Sequence, residues 1–74
     1  MNNIILVKDR LSGEISDYKV LVKQDPTSDK MAVSKEIELL IRNYPPEKYE
    51  IIRGWGNSIK EFLEVYPEYD SSRN

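Results

Sequence analysis

The spacing of apolar positions changes three times along the chain, and each change marks an element. Ile4-Ile5-Leu6-Val7 is an unbroken apolar run with no helical period, the pattern of a strand buried on both faces. Ser12-Gly13 is a turn signal. Tyr18-Lys19-Val20-Leu21-Val22-Lys23 is rich in β-formers and reads as the returning strand. A two-residue turn on Ser12-Gly13 would pair Lys8 with Asp17, Val7 with Tyr18 and Ile5 with Val20; a longer loop shifts that register. In it, Ile5, Val7, Tyr18, Val20 and Val22 share one face. Ile4, Leu6 and Leu21 share the other, among Lys8, Lys19 and Lys23.

From Asp25 onward the period becomes helical. Val33, Ile37, Leu40, Ile41 and Tyr44 fall at i, i+4, i+7, i+8 and i+11, one apolar stripe on a long helix. Asp25 is a good N-cap and Pro26 fits N1, where a missing N–H costs nothing; Thr27 or Ser28 is an alternative cap. Asp29 suits the positive helix end. Pro45-Pro46 stops the helix, because the residue before a proline avoids αR. Lys48 to Trp55 reads as a third strand, with Tyr49, Ile51 and Trp55 on one face and Ile52 on the other. Ser58 and Glu61 form a capping box, and Ile59, Phe62, Leu63 and Tyr66 follow at i, i+3, i+4 and i+7 up to Pro67.

The order ββαβα predicts a small single α+β domain over residues 1–69, with a polar tail, 70–74, expected to fray. The hairpin makes the first two strands antiparallel, and the long helix carries the chain back. The least polar strand belongs in the centre, which gives a three-stranded antiparallel sheet in the order 2-1-3. The long helix blankets one face of it. The short C-terminal helix packs beside the long one or covers the opposite face, where Ile4, Leu6, Leu21 and Ile52 are expected. If it does neither, that face predicts a homodimer.

Composition narrows the classes. Of 74 residues, 39% are hydrophobic and 32% charged, which suits a folded domain and not a disordered chain. No apolar run approaches the roughly 20 residues of a spanning helix. The N-terminus lacks a basic region and a small-residue cleavage site, so no signal peptide and a cytoplasmic location are expected. Cysteine and histidine are absent, which removes the usual zinc, haem and iron–sulfur ligands and the commonest general base. No metal, cofactor or catalytic residue is therefore nominated. Eleven basic and 13 acidic residues leave a net charge of −2, against the basic excess a nucleic-acid binder usually carries.

Three groups remain as candidate sites. Gly54, Gly56, Asn57 and Ser58 follow a strand and open a helix, the context in which free N–H groups hold a phosphate. The third glycine of a dinucleotide fingerprint and the lysine of a P-loop are missing, and the preferred reading is that the two glycines turn the chain sharply while Trp55 fills core. Lys8, Arg10, Lys19 and Lys23 lie on one hairpin face in the register above and form a candidate nucleic-acid surface, although Asp17 sits among them. Trp55, Tyr69 and Tyr49, with the sheet residues Ile4, Leu6 and Leu21, form a candidate protein-interaction surface, since exposed Trp and Tyr are frequent interface anchors. Glu61, Glu64 and Glu68 share a helix face and need no more than solvent.

By subtraction, the expected function is a small non-enzymatic protein-interaction module: an inhibitor, adaptor or assembly factor that binds another protein. A nucleic-acid accessory role, or phosphate or nucleotide binding at Gly54–Ser58, are the alternatives. The strand–helix–strand outline, with a late Tyr-Pro and the strand Tyr49-Glu50-Ile51, is similar to small bacteriophage proteins that inhibit host enzymes. The abundance of Ile, Lys, Asn, Glu and Tyr fits a low-GC bacterium or its phage. The likeness is one of outline and assigns no residue a role.

Overall fold

The computed structural model describes residues 1–70. Four of the five residues expected to fray, 71–74, lie outside that range. Strands β1 (Asn2–Asp9), β2 (Ile15–Val22) and β3 (Tyr49–Gly56) form one antiparallel sheet in the order β2-β1-β3. Helix α1 (Pro26–Asn43) joins β2 to β3, and α2 (Ile59–Val65) follows β3, ending in a 3-10 turn at Pro67–Tyr69. The expected fold class and strand order are present.

Local chemistry sets the helix ends. The Asp25 carboxylate accepts the Ser28 backbone N–H at 3.0 Å, and Pro26 begins α1. That bond, with Ser28's hydroxyl close by, holds the Asp25 carboxyl below its ordinary value. The Ser58 hydroxyl accepts the Glu61 N–H at 3.1 Å and caps α2.

The hairpin differs from expectation by one residue. Val7 faces Asp17, Leu6 faces Tyr18, Ile5 faces Lys19 and Ile4 faces Val20, and the register slips again before Lys8 meets Ile15. The cause is the turn, which is longer than Ser12-Gly13 alone. Asp9 donates its N–H to the Glu14 carbonyl and accepts the Gly13 N–H, both at 2.8 Å. Its carboxylate takes the N–H groups of Leu11 and Ser12, and Gly13 closes the loop at φ 77°. Since side chains alternate, a slip of one residue turns β2 over. Leu21 therefore sits with Ile5 and Val7, not with Ile4 and Leu6. Tyr18, Val20 and Val22 move to the other side.

Two cores result, one on each side of β1. Under α1, buried Ile5, Val7, Val33 and Leu40 are joined by Leu21, Ile37, Tyr44, Tyr49 and Ile51. Ile41, expected on the α1 stripe, is instead 41% exposed. One helical step past Leu40 carries it about 100° off the seam. On the opposite side, Ile4, Leu6, Ile52 and Phe62 form the second core, with Ile15, Ile59, Leu63 and Tyr69 against it. So α2 covers the second face over β1 and β3. It does not cover β2, where Tyr18, Val20 and Val22 remain exposed.

Candidate binding groove beside Trp55

Two glycines place Phe62. On β3, Gly54 and Gly56 point toward α2, and a Cβ on Gly54 would run into the Phe62 ring. One on Gly56 would stand 3.1 Å from Ile4 Cδ1. Their smallness lets α2 lie flat on the sheet. At the α2 start, the Asn57 side chain donates to the Glu61 carboxylate at 3.1 Å, so an anionic group already stands there. In this geometry Gly54, Gly56, Asn57 and Ser58 serve packing and capping.

The basic residues of the hairpin are dispersed, contrary to the single face expected. The Lys8 ammonium lies 5.8 Å from the Tyr69 ring centroid, on the α2 side. Arg10, beside the turn, donates to the Pro46 carbonyl at 2.9 Å. Lys19 and Lys23 fall on the α1 side, in two separate cavities. The slipped register is the reason.

Of the expected interaction residues, Ile4 and Leu6 are fully buried beneath α2, and Leu21 is half-buried on the opposite side. None of the three offers a surface. Tyr69 stacks on Phe62, with centroids 6.1 Å apart and planes 10° apart. Tyr49 meets Tyr44 edge to face at 5.1 Å. The Tyr44 hydroxyl donates to Asp17 at 3.1 Å, and this bond raises the phenol above its ordinary value. Trp55 alone stands free, at 62% exposure.

Trp55 ends a groove. Alternation along β3 puts Tyr49, Ile51, Arg53 and Trp55 on the α1 side, and Asn3 faces Trp55 across the β1–β3 ladder. A cavity of about 320 Å³ lies between this end of the sheet and α1, lined by Asn3, Ile5, Val33, Arg53 and Trp55 among others. It continues toward the start of α1 past Lys23, Lys30 and Asp29. Asn3 is the buried polar residue of the fold, 8% exposed, and its Nδ2 has no hydrogen-bond partner. The residues Asn3, Lys30 and Arg53 were not singled out in the sequence. A signal was present for Asn3: it stands two residues before Ile5 and four before Val7, in phase with a buried face.

The arrangement defines a three-layer α–β–α domain, with a cationic groove on one side and a bare apolar strand face on the other. Comparison with protein-family models, curated proteins and solved structures finds no match. Among the described residues, no group of three or more acidic side chains is placed to hold a metal ion. No helix there is long and apolar enough to cross a membrane.

Proposed function

We propose that the chain is a small non-enzymatic protein-interaction module, and that its contact surface is the uncovered face and free edge of β2. One observation carries this reading. Tyr18, Val20 and Val22, at 49, 39 and 75% exposure, occupy alternate positions on an edge strand and take no part in the α2-side core. An apolar edge strand is a template for a further strand.

A second copy of this chain fits the edge. Antiparallel pairing about Val20 sets Val20 against its own equivalent, Tyr18 against Val22, and Asp17 against Lys23, twice over by symmetry. Asp17 now accepts the Tyr18 N–H at 2.8 Å. In the pair, a Val22 carbonyl takes that N–H, and the freed Asp17 Oδ1 meets the lysine of the other copy while Oδ2 keeps the Tyr44 hydroxyl.

Light scattering across a concentration series tests the reading. Wild-type chain is expected to approach twice 8.7 kDa, and Val20→Lys to stay at one chain with an unchanged circular dichroism spectrum. A one-chain mass for the wild type at its highest soluble concentration, or a dimer that survives Val20→Lys, would overturn it.

A further inference from the structure

The groove beneath Trp55 combines three features that no packing argument needs. Its floor carries the amide of Asn3, more than nine-tenths buried, with an unpartnered Nδ2. A buried donor left without an acceptor is a standing cost to the fold. Its rim carries Arg53, Lys23 and Lys30 against one carboxylate, Asp29. Its side is the indole of Trp55, a flat apolar surface held in water.

We propose that this groove binds a small organic carboxylate carrying a flat or apolar body. One carboxylate oxygen accepts from Asn3 Nδ2, once a turn about the soft terminal torsion of the amide carries the buried Nδ2 to the cavity that Asn3 lines and its Oδ1 inward. The negative charge meets the Arg53 guanidinium, with Lys30 further along the groove, and such charge-assisted bonds are roughly twice as strong as neutral ones. The body of the ligand lies on Trp55. A volume of about 320 Å³ is at the lower end of small-ligand sites and sets the ligand's size.

The α1 N-terminus takes no part. Its first N–H groups face Asp25, and Asp29 accepts the Gln24 N–H at 2.6 Å, so that end already holds two carboxylates. The site meets the β2 surface at Lys23 alone, since none of Tyr18, Val20 and Val22 lines it, and Lys30 and Arg53 keep the groove cationic when β2 is paired.

Trp55 is the single tryptophan of the chain, so its fluorescence reports on the groove directly. Phenylacetate is the probe, with phenylacetamide as its neutral analogue and inorganic phosphate as an anion with no apolar body. Phenylacetate is expected to change Trp55 emission saturably, with a Kd on the order of millimolar for so small a molecule. Phenylacetamide and phosphate should bind at least about tenfold more weakly, as should phenylacetate to the folded variants Asn3→Leu and Arg53→Gln. No saturable response, an equal response to the amide or to phosphate, or undiminished binding by folded Asn3→Leu would each overturn the proposal. An acidic capped peptide that binds while phenylacetate does not would overturn it too.

Discussion

The ring of Phe62 occupies the space that a side chain on Gly54 would need. The relationship fixes the height of α2 above the sheet, and through it the whole second core, because Phe62 is the buried residue that α2 contributes.

Gly54→Ala should therefore destabilise the domain although it adds a single methyl group. The methyl would run into the Phe62 ring, and overpacking of this kind costs about 1–3 kcal/mol. Urea denaturation followed by circular dichroism reads the loss. A variant as stable as wild type would show that α2 can lift off the sheet without cost. Phe62→Ala should lose more, about 3–5 kcal/mol, by leaving a void among Ile4, Leu6 and Ile52.

Asn3→Leu should act in the opposite direction. It replaces a buried amide whose Nδ2 lacks a partner with an apolar side chain of similar size, between Ile5-side packing and the groove. Removing the unpaired donor should stabilise the fold by about 1–2 kcal/mol, seen as a higher urea midpoint. A lowered midpoint would mean that the amide is bonded in the folded protein.

Acid should weaken the domain in a defined window. Asp25 and Asp9 both have carboxyls held below the ordinary value of 3.8, Asp25 by the Ser28 N–H and Asp9 by the Ser12 and then the Leu11 N–H. A depressed folded pKa contributes stability in full above the unfolded value and loses it as pH falls through the folded one. The urea midpoint should thus fall below about pH 4 and reach a floor beneath both folded values. Asp25→Ala should start lower at neutral pH and fall less across that window. Parallel curves for the two proteins would remove Asp25 as a source of the acid loss.

Much of this architecture could be read from residue patterns, and the losses have identifiable causes. Asp25-Pro26, Pro45-Pro46 and Ser58 with Glu61 are local signals, complete within four residues, and they mark the helix ends. The apolar run Ile4–Val7 identifies the central strand, because only a strand covered on both faces has no use for alternation. The hairpin register was not legible in the same way. It depends on Asp9, which ends a strand and caps the turn with its side chain, and nothing in Ser12-Gly13 signals the extra residues. A slip of one residue exchanges the two faces of β2, so the exposure of Tyr18, Val20 and Val22 is not legible without the turn. Lys30 and Arg53 meet at the groove only through tertiary placement, with 22 positions between them.

The central position of β1 has a consequence for the order of events during synthesis. It is made before both of its neighbours, and while β2 follows directly, Asn2 is partnered by Gly56 and Asp9 by Tyr49. Until β3 leaves the ribosome, the greasiest segment of the polypeptide has one edge open and its α2-side face unroofed. A released chain truncated before Tyr49 should thus be a client for chaperones, whereas one that extends through Tyr69 should not.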